Sequence, residues 1–319
     1  MIRYIIKRLL YLIPVILCVS FIIFALMDLT PGTVVDSMIP SDATPELIAA
    51  IRAQYDMDKP MIYRYGKYML NFIQGDLGRS DLSGESIMKM YLTRLPNTIV
   101  LALTSIVIAA LMAIPMGIRA ARHAGTLTDT MTTVVTLIGM SMPAFWLGLM
   151  LLFAFSYKLG WFPASVNGGF KSLILPAFCN GLSMMAGTTR QTRSAMLEVL
   201  NSDYLRTARA KGVPERRVIW KHALGNAMIP ILTTLGGNLS HAMAGSVVIE
   251  SVFAWPGVGR LTAEAIMSRD TKMACGCVIM TTILYVVMIL LVDLAYAFVD
   301  PRIKARYIRS KKPRKQVEA

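Results

Sequence analysis

The sequence predicts an all-α membrane protein with about six spanning helices. Of its 319 residues, 55% are hydrophobic and only 16% are charged, with a mean hydropathy of +0.54. A soluble domain carries roughly 25% charged residues. The apolar residues also come in blocks, and a block of about 20 crosses roughly 30 Å of hydrocarbon. The net charge of +14 sits between those blocks or at the two ends of the chain. That placement reads as topology, with Lys and Arg held on the cytoplasmic side, rather than as a nucleic-acid surface.

The predicted spans are Leu9–Leu29, Asn97–Ile118, Met131–Tyr157, Leu173–Thr192, Ala227–Phe253 and Cys275–Val299. Arg3, Lys7 and Arg8 precede the first, which is longer than a secretory h-region and lacks a small-residue cleavage pattern after it, so a retained helix is expected. Pro176 and Asn180 interrupt the fourth, and interrupted helices are tolerated where they pack on protein or line a cavity. Arg119 and Arg122 follow the second span, Arg206 to Lys221 lie between the fourth and fifth, and Arg302 to Lys315 close the chain. With six spans all these regions fall on one side, so both termini are expected to be cytoplasmic. The stretch 30–96 is then external and too short for an ordinary independent domain. Within it Ala43 to Tyr55 has a helical pattern, with Thr44 and Pro45 suited to a start. A small cap on the mouth of the membrane domain is expected. The division is a first helix (1–29), the external region (30–96), a core (97–300) containing a cytoplasmic loop (195–226), and a basic tail (301–319).

Several chemistries find no support. No phosphate-binding G-x-x-x-x-G-K-[ST] loop and no H-E-x-x-H is present. The spacing of Cys18, Cys179, Cys275 and Cys277 suits neither zinc nor a CxxC redox pair, and small buried hydrophobes are expected. Asn238-Leu-Ser240 fits a glycosylation sequon but lies in a predicted span. No catalytic, cofactor or metal residues are assigned.

The most informative segment runs from Asp203 to Pro230. It reads as two short helices around a Gly-Val-Pro turn: Asp203 caps the first, Gly212 ends it in a left-handed conformation, and Pro214 starts the second. Tyr204, Ala208 and Lys211 share a face by spacing, with Ala208 small enough for another surface to approach. Composition alone equally permits a positively charged anchor gripping lipid headgroups. Elsewhere, Asp293 within the last span needs a partner or water; it could line a path or bond a neighbouring helix. Gly236, Ser240 and Ala244 form a small-residue stripe suited to close helix packing. His241 beside it could face a cavity. Met184 and Met185 read as packing. The turn from Glu250 to Arg260, with Pro256 and Gly257, could be a gate at the outer face or a passive re-entrant turn.

The segment Tyr204-Leu-Arg-Thr-Ala-Arg-Ala-Lys-Gly212 resembles the EAA loop of bacterial ABC importer permeases, in the form used by dipeptide, oligopeptide and nickel permeases. Arg206, Thr207 and Ala208 occupy the Glu-Ala-Ala triplet, Gly212 matches its Gly, and Pro230 the late Pro; the Glu itself is missing. The resemblance extends in order along the chain, through Arg3 to Pro14, Gly75 to Ser80, Arg94 to Thr98, Pro143 to Gly148, Leu159 to Ala164, Glu250 to Arg260, Arg269-Asp270 and Asp300 to Arg302.

The resemblance implies a type I ABC importer permease in a bacterial inner membrane, and the first of two paired permeases. Its implied partners are a second homologous permease, two ATP-binding subunits and an extracytoplasmic substrate-binding protein. ATP and Mg would be bound by the ATP-binding subunits, not by this chain. Tyr204, Arg206, Thr207, Ala208, Lys211 and Gly212 would form the ATPase-coupling loop, and His241, Glu250, Pro256, Gly257 and Asp293 are candidates for the path or gate. Peptides are the expected cargo, with nickel chelates or glutathione as alternatives. A gradient-driven carrier and a non-transporting membrane subunit are the other classes, and the carrier reading lacks visible inverted repeats.

Overall fold

The computed structural model describes residues 2–30, 32, 35–36, 39–40, 42–164 and 169–299. The basic tail, Asp300 and Pro31 lie outside them. Regular structure among the described residues is helical, apart from an isolated antiparallel bridge between Arg79 and Ser86. In chain order the helices are α1 (Ile2–Leu29), α2 (Pro45–Gln54), α3 (Met61–Ile73), α4 (Ile87–Arg122), α5 (Leu127–Ser141), α6 (Ala144–Leu151), α7 (Phe170–Leu200), α8 (Asp203–Ala210), α9 (Glu215–Arg217), α10 (Leu224–Met243), α11 (Val247–Val252), α12 (Val258–Met267) and α13 (Thr271–Val299). Wider π-type turns continue α6 over Leu152–Lys158 and join α9 to α10 over Val218–Ala223.

Each predicted span falls on helix, but not always on one straight helix. Three helices are long and apolar enough to cross a bilayer alone: Leu10–Leu29, Ile87–Arg122 and Thr271–Ala295. The second begins ten residues before Asn97 and passes through Pro96, so the boundary expected at 96/97 lies inside α4. At 36 residues it measures about 54 Å, more than the hydrocarbon thickness. The third span is broken: α5 and α6 meet at 96° around Met142-Pro143. Pro143 disfavours helical backbone at Met142, which is extended at φ −75°, ψ 126°. The fifth is broken too. α10 stops at Met243, and Gly245 at φ +97° turns the chain into α11.

The fourth predicted span falls on α7, which among the described residues is not apolar enough to cross a bilayer by composition alone, and its polar residues point inward. Asn180, Thr188, Thr189 and Thr192 are all buried. Asn180 donates to the Ser105 hydroxyl of α4 at 3.2 Å and accepts from Ser246 at 3.2 Å, while Asn238 of α10 donates to Thr188 at 3.2 Å. Helices in lipid gain little from apolar burial against one another and associate through such bonds and close packing. Close packing between α4 and α7 is visible at two glycines. A Cβ on Gly117 would lie 2.5 Å from Thr192 Cβ, and one on Gly181 3.0 Å from the Ser105 carbonyl. In the predicted small-residue stripe Ser240 is buried, while Gly236 and Ala244 are half-buried and Gly236 lines an open apolar groove with Leu239 and Val292.

The external region starts as its sequence indicates: Thr44 Oγ1 accepts from Leu47 N–H at 3.3 Å, with Pro45 in the first turn of α2. α3 packs on α1 and α13. Tyr68 and Met69 pack with Ile16, Phe24, Cys275 and Ile279, and Tyr65 Oη sits 3.0 Å from Ser20 Oγ. Arg64 is paired with Asp28.

Candidate coupling helix and buried carboxylate cluster

α8 is a two-turn helix held at both ends. Ser202, extended at φ −76°, ψ 146°, precedes it, and its hydroxyl donates back to the Val199 carbonyl at 2.6 Å. Ser202 thus occupies the N-cap position rather than Asp203, without a side-chain bond to the helix N–H groups. Asp203 becomes the first helical residue, where its carboxylate meets the positive end of the helix dipole. At the other end Gly212 has φ +75°. Its N–H donates to the Arg209 carbonyl at 2.9 Å, and Val213 N–H donates to the Ala208 carbonyl at 3.2 Å. These two bonds form the Schellman closure that the Gly-Val-Pro turn predicts. Arg209 then clamps Glu215 with two bonds of 3.2 Å, tying α8 to α9.

One side chain seats this helix on the bundle. Leu205 is fully buried among Ile118 and Ala121 of α4, Met196 of α7, and Ile219 and Ile231. It sits beside Arg206 in a polar segment, and the sequence reading missed it. Ala208 is half-buried on this same cluster, so it packs on this chain's own body rather than lying open with Tyr204 and Lys211. Tyr204, Arg206, Thr207, Lys211 and Gly212 are exposed, and they form the outward surface of the loop.

The candidate gate residues separate into two kinds. Glu250, in α11, is fully buried. Its carboxylate accepts from Thr98 Oγ1 of α4 at 2.9 Å and from Arg260 N–H of α12 at 2.9 Å, and Thr98 Oγ1 in turn accepts from Val258 N–H at 2.9 Å. The carboxylate thus satisfies the start of α12, a favourable place for negative charge. Asn97 donates to the Pro256 carbonyl at 2.9 Å, and Trp255 Nε1 donates to the Asn97 carbonyl at 3.0 Å. Gly257 is obligatory here. A Cβ would lie 2.3 Å from the Glu250 carboxylate. Glu250, Pro256 and Gly257 therefore form one rigid turn bolted to α4, and Asn97 and Thr98 are the partners that sequence reasoning did not single out.

His241 and Asp293 lie apart from that turn. His241 is exposed on α10. Asp293 is paired with Arg8, joining α13 to α1. Near the other end of the bundle Arg193 of α7 grips Asp129 of α5 with two bonds of 2.6 Å, and Gly125 N–H adds a third at 3.0 Å. Among the described residues no cluster of three or more His, Cys, Asp or Glu could hold a metal ion.

The chain matches two family descriptions: "binding-protein-dependent transport system inner membrane component" over residues 113–305, and the N-terminal component of such systems over residues 1–102. It is 39% identical over 319 residues to the oligopeptide transport system permease AppB of Bacillus subtilis, covering 95% of this chain and 100% of that one. It is 36% identical to the dipeptide transport system permease DppB of Alkalihalophilus pseudofirmus, covering 95% and 100%. It is likewise 36% identical to the glutathione transport system permease GsiC of Escherichia coli, covering 95% and 99%. Among solved structures, the inward-facing MetNI methionine ABC transporter aligns with a TM-score of 0.57 at 14% identity, over 67% of this chain and 98% of that one. That likeness fixes the fold alone, as a type I ABC importer permease. Both family descriptions, which together span most of the chain, and the full-length relatives show the family: the chain belongs to the inner-membrane permease components of binding-protein-dependent ABC importers.

Proposed function

We propose that this chain forms one side of a translocation path for peptides and is driven through α8 by separate ATP-binding subunits. The observation that carries the reading is the construction of α8. A helix of two turns, closed by Gly212 and seated by Leu205 on three long helices, presents Tyr204, Arg206, Thr207, Lys211 and Gly212 outward. An exposed short helix is the shape that docks into a groove on another protein. Because it is rigid, displacing it displaces the ends of α4, α7 and α10 together.

In this reading both termini and α8 are cytoplasmic, a second homologous permease completes the path, and a substrate-binding protein delivers cargo from outside. Mg-ATP is held by the ATP-binding subunits. The Glu250–Arg260 turn shapes the outer end of the path, His241 is a candidate for its lining, and Asp293 acts as the partner of Arg8. Peptide cargo is supported by the relatives named for oligopeptides and dipeptides, and the relative named for glutathione, itself a tripeptide, falls in the same chemical class.

The test is co-expression with the other subunits and measurement of peptide uptake and ATP hydrolysis in proteoliposomes. Gly212→Glu is expected to leave the chain in the membrane while separating hydrolysis from uptake. Wild-type uptake by Gly212→Glu would refute the role of α8; uptake driven by an ion gradient without ATP would refute the class.

A further inference from the structure

Beyond α8 the chain presents a second surface of different chemistry. Pro214, Arg216, Arg217, Trp220 and Lys221 line an open groove of about 390 Å³. Val218 and Ile219 between them are fully buried in the cluster that holds Leu205, so the cationic side is held outward by a fixed backbone. No carboxylate lines the groove. The neighbouring Glu215 is committed to Arg209, and among the described residues Arg216, Arg217 and Lys221 form no ion pair and no side-chain hydrogen bond. Three cations therefore converge on one cavity with nothing to neutralise them.

Trp220 adds a second, independent indication. It is 49% exposed in the same groove, a few residues before α10 begins its apolar run at Leu224. Tryptophan is enriched where hydrocarbon gives way to headgroups, because its ring is apolar and its N–H is polar. An indole and three cations at the membrane-proximal end of a span match a lipid phosphate, with the ring at headgroup depth and the cations on its oxygens.

We propose that this groove binds the headgroup of an anionic phospholipid. The bound lipid would tie the rigid α8–α10 connection to the membrane surface. The inference depends on membership of the membrane permease family and not on the identity of the cargo.

The test uses the whole transporter with its partner subunits, delipidated and then titrated with phosphatidylglycerol or phosphatidylcholine, with bound lipid counted by native mass spectrometry. The triple variant Arg216→Gln, Arg217→Gln, Lys221→Gln is expected to lose one phosphatidylglycerol per chain. Its affinity at that site should fall on the order of 100-fold, because each cation near an anionic surface contributes separately. Phosphatidylcholine binding should not change, and Arg217→Lys, which keeps the charge, should retain the lipid. Equal phosphatidylglycerol retention by wild type and triple variant would overturn the proposal. So would release of the lipid by inorganic phosphate, which would mark a soluble-anion site. Loss of the ATP-binding subunits from the triple variant with lipid retention unchanged would assign the groove to protein and overturn it equally.

Discussion

Gly257→Ala tests the buried turn through a single methyl group. The backbone at Gly257, φ −98° and ψ 179°, is open to any residue, so the substitution introduces no conformational strain of its own. The added Cβ would instead lie 2.3 Å from Glu250 Cδ and Oε1 and 2.4 Å from Oε2. Glu250 is fully buried, so its carboxylate has little open space to enter. The carboxylate must swing away from both Thr98 Oγ1 and Arg260 N–H, each bonded at 2.9 Å. Hydrogen bonds to a charged group are worth about 1.5–3 kcal/mol each, so losing the pair costs about 3–6 kcal/mol. For a chain of 319 residues an unfolding entropy of about 2 cal/mol/K per residue converts this to a fall in melting temperature on the order of 5 °C.

The assay is thermal melting of the purified chain in mild detergent, run as a cycle with Glu250→Ala. Glu250→Ala alone is destabilising, since it strands the Thr98 hydroxyl and the α12 N–H. In its background, however, the carboxylate atoms that the new methyl group would strike are gone. There Gly257→Ala is expected to be neutral, or stabilising by about 0.4–1 kcal/mol through the unfolded chain. The sign of the effect changes between backgrounds. Equal cost of Gly257→Ala with and without Glu250 would refute the account, because the penalty would then come from the backbone. Gly66→Ala, where a Cβ meets nothing within 4 Å, is the control, and it should stabilise helix α3 by about 0.5–1 kcal/mol.

Leu205→Ala removes a fully buried anchor. It is expected to cost about 2–5 kcal/mol, read as faster protease cleavage in the 195–226 loop while the rest of the chain stays intact. Gly212→Ala should cost about 1–2 kcal/mol from its left-handed backbone, and Gly212→Asn less, as a difference in melting temperature between the two. Arg193→Met strands the Asp129 carboxylate, which is only 9% exposed. A loss of about 3 kcal/mol follows, largely recovered by adding Asp129→Leu, and the double variant is the measurement that distinguishes pairing from packing. Arg8→Gln and Asp293→Asn should couple by about 0.5–3 kcal/mol in a thermal double-mutant cycle; strict additivity would remove the α1–α13 bond from the account.

The sequence disclosed the elements governed by short-range rules. The Gly212 turn, the Thr44-Pro45 start and the apolar blocks follow from backbone preference and hydropathy, and all stand where the residues place them. What it concealed depended on contacts far apart in the chain. Glu250 in a membrane segment looks like a functional charge until Thr98, 152 residues away, is found beneath it. Asp293 could equally have lined a path until Arg8 was brought against it. Ala208 lies three positions from Leu205 and four from Tyr204, and spacing alone cannot say which of these two neighbours it accompanies. The 96° break at Pro143 was available from the proline itself, but the apolar residues on both sides continue a single hydropathy block and hide it.

α4 connects the two functional regions mechanically. Thr98, in its N-terminal third, holds the Glu250 turn. Ile118 and Ala121, at its other end, belong to the buried cluster that includes Leu205 of α8. About twenty residues of helix separate Thr98 from Ile118, about 30 Å at 1.5 Å per residue, which matches the hydrocarbon thickness. Over that length α4 is joined to α7 by two glycine contacts too close for a Cβ, so neither helix can slide independently of the other. In the proposed coupling, a push on α8 is not absorbed locally as long as Leu205 stays seated. It must appear at the far end as a tilt of α4 against the Glu250 turn, and the turn must either move as a unit or lose hydrogen bonds. Its packing around one carboxylate makes unit movement the lower-energy choice. A buried, fully bonded turn at one end and a capped, singly anchored helix at the other form two rigid bodies joined by a stiff rod, the arrangement that a two-state transporter requires.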